Sequence, residues 1–358
     1  MKILVSQLRK LVPGVSRYCT FCHCHRADQL FSGQMDSVLH RRTYSVCKKW
    51  GLHPLKSRGL VRLKGNDVVP FLQGLITNDV TKLGDSCRSL YSMMLNVQGR
   101  VLYDMMVYQT PGTDNTPCVL VEVDREVVTE FIKTMKKYKI RKKVDITDVT
   151  GELQSYAVTP QDSYDNIPWL PINQESVIAA EADPRLQTFG WRVISPDQSY
   201  ITSNVDPDVT VSLLDEHEYH IARYKLGIPE GIKDLPPGDC LPLESNLVFH
   251  DGVSFTKGCY IGQELTARTH HTGVTRKRLM PIVLDRIPKD VTSGSNIVTS
   301  SGRSAGKFRN AADVYGLGLI RLAHLKEKLE IRVNEGDKYC VETAVPSWWP
   351  QEAEASRL

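Results

Sequence analysis

Between residues 58 and 149 the spacing of apolar side chains switches from every second residue to the helical period and back, twice. Arg58 to Lys64 (RGLVRLK) alternates as a strand does. Asn66-Asp67 can cap a helix with Val68, Phe71, Leu72, Leu75 and Ile76 on one face, and Pro70 is tolerated in its first turn. Ser89 to Val97 and Arg100 to Tyr108 read as a hairpin joined at Gln98-Gly99, and Val119 to Val123 as another strand. Val128, Phe131, Ile132, Met135 and Tyr138 line a second helix. It ends in KKYKIRKK, a solvated cationic end that favours the carbonyl pole of the helix dipole, and a strand at Val144 to Val149 follows. This order suggests an α+β layer with helices packed on an antiparallel sheet.

The pattern then loosens. Gln161 to Asp183, rich in Pro, Asn, Asp and Ser, reads as a long connection, and Arg185 to Ile194 regains strand character. A helix is expected from about Val211 to Leu226, ended by Gly227 with Pro229 just beyond. Pro236-Pro237-Gly238 forbids regular structure. From Lys277 short strands punctuated by Gly and Ser, such as Asn296 to Thr299 and Gly316 to Arg321, suggest a small all-β module; the residues from Pro346 read as frayed. With 358 residues and 41% hydrophobic content, two or three packed units are expected. No run of about 18 apolar residues occurs, so no membrane span is expected.

Charge is unevenly spread. Residues 1–44 hold seven Lys or Arg against Asp28 and Asp36, a net of +5 that leaves the remainder at −1. The near-neutral body shows no global signature of a nucleic-acid binder. The basic, acid-poor N-terminus resembles a mitochondrial transit peptide, and Arg42-Thr43-Tyr44-Ser45 resembles a matrix-protease site cut after Tyr44; the alternative is a disordered basic arm. Cys19, Cys22 and Cys24 with His23 and His25 are zinc-ligand types, but no second ligand pair follows at finger spacing and the cluster lies in the removable segment, so no metal is expected there. Cys47, Cys87, Cys118, Cys240, Cys259 and Cys340 are scattered, as expected of free thiols in a reducing matrix.

Cys259 stands apart because of its setting, KGCYIGQE from Lys257 to Glu264. Gly258 would let the thiol sit on a tight turn. Lys257, Arg268 and Arg276 are cations that would favour thiolate. A lone cysteine is more often a buried packing residue, so a binding module with Cys259 inside is the competing reading. Iron–sulfur clusters normally take four protein ligands. One cysteine cannot supply them, so a cluster held here needs ligands from a second protein. For His270 and His271 a structural hydrogen bond is the expected role.

KGCYIGQELTAR, followed by His271-Thr272-Gly273-Val274-Thr275-Arg276, resembles the signature of the YgfZ/Caf17 group, as do Leu226-Gly227-Ile228-Pro229 and LPLESNL from Leu241 to Leu247. The resemblance covers roughly residues 50–345. The group is related to the glycine-cleavage aminomethyltransferase, which is tetrahydrofolate-dependent. The likeness implies an α+β fold: an aminomethyltransferase-like three-part ring, with two α+β units around a central cavity plus a C-terminal β-barrel. The division implied is transit peptide 1–44, first α+β domain 45–150, second α+β domain 151–275 carrying KGCYIGQE, barrel 276–345 and flexible tail 346–358.

The resemblance also implies a function in the mitochondrial matrix. The chain would mature four-iron four-sulfur proteins with an A-type iron–sulfur carrier, sharing a two-iron two-sulfur cluster ligated by Cys259. Clients would be iron–sulfur enzymes such as aconitase and lipoate synthase, so lipoylation and heme synthesis would depend on it indirectly. Gly258, Tyr260, Gly262, Gln263 and Glu264 complete the motif; Gln263 and Glu264 are expected to hydrogen-bond the turn or cap the next element. No catalytic residue is implied. The alternative is a tetrahydrofolate-dependent one-carbon or aminomethyl transferase, with Lys257, Arg268, Asp104 and Asn96 as folate or anion contacts. Two departures weigh on it. Asn96-Val97-Gln98-Gly99 leads to Tyr103-Asp104, a single carboxylate where the transferases have a pair. Lys225 in Arg223-Tyr224-Lys225-Leu226-Gly227 replaces their pterin-binding acid, and an ammonium cannot accept hydrogen bonds.

Overall fold

The computed structural model of this chain describes residues 49–350, apart from 85–86, 111–115, 162–169 and 335–336. The expected transit peptide, its cleavage site, the Cys19–His25 cluster, Cys47 and the last eight tail residues lie outside the described residues. The chain first forms β1 (Lys49–Pro54), β2 (Arg58–Lys64), α1 (Val68–Gln73), β3 (Ser89–Leu95), β4 (Val101–Gln109), β5 (Cys118–Asp124), α2 (Val128–Lys139) and β6 (Asp145–Asp148). A second series is β7 (Gln154–Pro160), β8 (Ala179–Ala182), β9 (Trp191–Ser195), α3 (Ser199–Thr202), β10 (Thr210–Leu213), α4 (Glu216–Lys225), α5 (Gly231–Asp234) and α6 (Gln263–Thr272). The last is β11 (Lys277–Leu284), β12 (Asn296–Thr299), β13 (Ser304–Ala312), β14 (Tyr315–Arg321), β15 (Leu329–Asn334) and β16 (Asp337–Thr343).

The first sheet has the order β3-β4-β5-β2-β6 and is antiparallel throughout. Strand period explains its nearly continuous apolar runs. Along β4, Tyr103, Met105 and Val107 face a core with Phe131 and Met135 of α2, while Met106 and Tyr108 enter a second core on the other face. A sheet covered on both faces needs apolar residues at both parities. The second core also draws in Ile194 of β9, Tyr224 of α4 and Leu317 of β14, so one apolar cluster joins all three units.

The second sheet runs β10-β1-β7-β9-β8. Here the expected division fails at its start. β1 belongs to this sheet, parallel to β10 and antiparallel to β7, although it precedes the first unit in sequence. Trp50 and Leu52 are buried there with Tyr156, Val158 and Val193, and only residues 55–57 separate β1 from β2. The expected connection over 161–183 includes β8, an edge strand. Strand character over 185–194 is confined to β9, because Arg185 sits in a turn whose carboxylate, Asp183, binds it.

Two helices are shorter than their apolar spacing suggested. α1 stops at Gln73, although Leu75 and Ile76 remain buried beyond it, and the Asp67 carboxylate accepts from Lys143 N–H at 2.7 Å instead of capping. α4 starts at Glu216, where Asp215 caps Glu218 N–H at 3.0 Å, because 210–213 pair with β1 instead. The C-terminal strands close as β11-β14-β13-β12-β15-β16, with β16 returning to β11. The end of this unit is not frayed at Pro346–Pro350. Trp349 is buried against Phe249, with ring centroids 5.0 Å apart, and Trp348 Nε1 donates to Leu226 O at 2.8 Å. Among the described residues no helix is long and apolar enough to cross a membrane.

Candidate functional site

The hairpin turn at Asn96–Gly99 and the KGCYIGQE loop, distant in sequence, pack backbone to backbone. Gly262 has φ +78°, and a Cβ on it would lie 2.3 Å from Asn96 O; Gly99 has φ +79°, and a Cβ there would lie 3.0 Å from Gly262 O and from Leu265 Cβ. Only glycine fits both positions. Asn96 holds its own turn, its Oδ1 accepting from the N–H groups of Gln98 and Arg100 at 3.0 and 2.9 Å. Gln263 Oε1 accepts from Tyr260 N–H at 3.1 Å, the turn role expected for it, and Glu264 is exposed. Tyr260 is buried in the shared core, and burial pushes its phenol up to about 12.

Cys259 is exposed beside that buried tyrosine. Gly258 is not the strained glycine: a Cβ there would meet nothing within 4 Å and its φ is not positive. The conformational constraint expected of Gly258 falls on Gly262. Lys257 Nζ donates to Ile76 O at 2.8 Å and Asn78 O at 2.6 Å, which pins the base of the loop to the first unit. Burial lowers its pKa to about 8, with Asp79 acting the other way, so at neutral pH it remains an ammonium. Arg268 is exposed on α6. Among the described residues His270 has no hydrogen-bond partner of the kind expected; its ring stacks on Phe255 at 3.7 Å and 6°, fixing α6 against the segment before the loop. Among the described residues no three His, Cys, Asp or Glu side chains are grouped to hold a metal ion. Cys118, Cys240, Cys259 and Cys340 are free thiols.

Asp104 lies elsewhere, at the junction of the three units. Its Oδ1 accepts from Gly231 N–H at 3.1 Å, and Arg58 stands 3.9 Å from Oδ2, which has no hydrogen-bond partner. Burial raises its pKa against the pull of Arg58. Around it is an ion network that no motif in the sequence announces. Arg58 and Arg192 both donate to Glu122 Oε1, at 2.9 and 3.2 Å. Arg192 also binds Glu230 and Tyr219, Arg185 spans Asp183 (2.8 Å) and Glu230 (2.9 Å), and Arg223 binds Asp234. Asn310 of the barrel donates to Tyr224 OH at 2.7 Å. Burial alone would raise the Glu230 pKa; Arg192, Arg185 and Arg58 outweigh it and hold the carboxyl well below its usual range. A cleft of about 220 Å³ opens beside the network, lined by Arg58 and Asp124 of the first unit, Arg223 and Glu230 of the second, and Asn310 of the barrel.

The candidate folate residues therefore do not form one site. Asp104 is enclosed at the junction, Asn96 is used by its own turn, Lys257 by two carbonyls, and Arg268 is at the surface. At the position of the missing acid, the Lys225 ammonium lies over the Tyr315 ring at 4.4 Å. An ammonium in that place offers a pterin edge no acceptor, as the Lys225 substitution implied.

Residues 276–351 match the family described as CAF17, C-terminal beta-barrel domain, and residues 16–161 match the GCVT N-terminal domain. The mouse protein named iron-sulfur cluster assembly factor IBA57, mitochondrial, is 44% identical over 319 residues, covering 85% of this chain and 87% of that one. Its human counterpart is 41% identical over 314 residues, covering 84% and 86%. This chain belongs to the mitochondrial iron–sulfur cluster assembly factor family. Membership in that family makes the protein mitochondrial. The fold is that of a glycine-cleavage aminomethyltransferase: aminomethyltransferase T from Bartonella henselae superposes on this chain with TM-score 0.61 at 14% identity, covering 85% of this chain and 87% of that one.

Proposed function

We propose that this assembly factor matures four-iron four-sulfur proteins in the mitochondrial matrix. It acts with an A-type iron–sulfur carrier through a two-iron two-sulfur cluster to which Cys259 contributes this chain's ligand. The cluster is cargo, and client iron–sulfur enzymes receive the product; heme synthesis and lipoylation depend on it downstream. The observation that carries this reading is an exposed, free Cys259 on a loop pinned at both ends, with no grouped metal ligands around it among the described residues. Four ligands are the usual requirement of a cluster. A single presented thiolate meets it only with a partner supplying the rest. Pinning by Lys257 and by the Gly99–Gly262 contact lets the thiol be offered without the loop being reordered on docking.

The test is anaerobic mixing of the mature chain with the cluster-loaded carrier, followed by visible circular dichroism. Wild type is expected to give a new spectrum that Cys259→Ser does not. An identical spectrum from Cys259→Ser overturns the assignment.

A further inference from the structure

The helix that follows the cysteine loop carries a second feature. A cleft of about 250 Å³ lies between α6, the Leu241–Glu244 segment and the strand ends at Arg276, Lys277 and Arg321. Leu241, Pro242, Leu243, Leu265 and Val274 give it apolar walls. Val274 is 73% exposed, which leaves its side chain in water beside the opening. In the lining, Thr266 is 2% exposed and its Oγ1 has no hydrogen-bond partner. Its hydroxyl lies beneath the cleft floor, where carbonyls of the preceding helical turn are within reach. Arg276, Lys277 and Arg321 stand over one carboxylate, Glu244, so the opening is cationic.

The cleft is continuous with the cysteine loop. Leu265 lines it and also meets the Gly99 turn, whose neighbour Val97 is 71% exposed. From Gln263 to Thr269 the helix advances by about 9 Å. One partner surface can therefore reach both Cys259 and the cleft.

We infer that this cleft docks a segment of the cluster-sharing partner that presents an apolar side chain next to a carboxylate. The apolar side chain enters between Leu243, Leu265 and Val274, and the carboxylate meets Arg276 and Arg321. This chain's own N-terminal stretch is a poor occupant, since residues 1–44 carry a net +5 and would face like charge. The inference rests on the proposed sharing of a cluster, and the two are separable because docking is measured without one.

The experiment titrates the mature chain with a cluster-free A-type carrier by calorimetry. Wild type is expected to bind, more weakly as salt is added. Arg276→Glu combined with Arg321→Glu is expected to weaken binding about tenfold or more, since like charges would face each other. Val274→Asp, which places a carboxylate at the opening, is expected to weaken it as well. Both variants should keep the wild-type far-ultraviolet spectrum, because these side chains are exposed. Wild-type affinity in the double variant overturns the inference, as does failure of wild type to bind the cluster-free carrier, or an effect confined to self-association. Cys259→Ser is expected to bind the cluster-free carrier normally yet give no shared-cluster spectrum. If it keeps that spectrum, the ligand assignment falls while the docking result stands on its own titration.

Discussion

Two glycines of KGCYIGQE look alike in sequence but differ in what surrounds them. Gly262 is left-handed and has Asn96 O, Leu95 and Gly99 where a side chain would go, whereas Gly258 faces open space. Gly262→Ala is expected to cost about 2–4 kcal/mol, from the backbone penalty and a clash with a main-chain oxygen that cannot swing away. Gly258→Ala should fall within about 0.5 kcal/mol of wild type. Urea unfolding of the two variants checks this; equal losses would mean the loop is not seated on the 96–99 turn. The motif stood out through its resemblance to the YgfZ/Caf17 signature and not through the spacing of its residues, which is weak evidence alone. Which glycine bears the constraint was not legible, because it depends on a hairpin more than 160 residues earlier in the chain. The cationic role given to Lys257 met the same limit: its partners, Ile76 O and Asn78 O, are main-chain atoms that no side-chain pattern announces.

Elements with a strong local period were readable almost to the residue. β2 matches the RGLVRLK alternation, and α2 follows the Val128, Phe131, Met135 face. Elements defined by distant partners were not. Thr210–Leu213 overlaps the expected start of the next helix at Val211, and it is a strand because β1 offers it an edge. The C-terminal segment is another such case. It looked frayed because Pro346 and Pro350 bracket it, yet Trp349 fills the end of the barrel and Trp348 reaches back to α4. Trp349→Ala is expected to cost about 3–5 kcal/mol by emptying that volume, with Phe249 and the Arg278 guanidinium, 5.6 Å from the indole, losing their contact. Chemical denaturation reads the cost, and limited proteolysis should cut the variant first in this segment. A loss below about 1 kcal/mol would return it to the surface.

Across the whole molecule, the three units meet on charge as well as on apolar side chains. Arg58, Arg185, Arg192 and Arg223 are buried with Glu122, Asp183, Glu230, Asp234 and Asp104. Such a junction holds together only if each ion keeps its partners, since removing one side strands the other in a medium that cannot solvate it. Arg192→Met is therefore expected to cost about 3–5 kcal/mol, leaving Glu122 and Glu230 short of a cation. Asp104 is the exception within the network. Its carboxyl is raised by burial, so below its folded pKa the native state holds a proton that the unfolded chain releases near 3.8. Stability from this group is complete at low pH and is lost as pH rises through that window. Glu230 and Asp183, held low by their arginines, act oppositely: their contribution is present at neutral pH and is lost as pH falls below the unfolded carboxylate values. Asp104→Asn keeps an oxygen for Gly231 N–H and removes the costly charge. It should lie within about 1 kcal/mol of wild type at acid pH and gain on it steadily toward neutrality. Urea midpoints measured from about pH 4 to pH 7 decide the matter: a difference that stays flat, or runs the other way, would mean that Asp104 is ionised and paired in the folded protein.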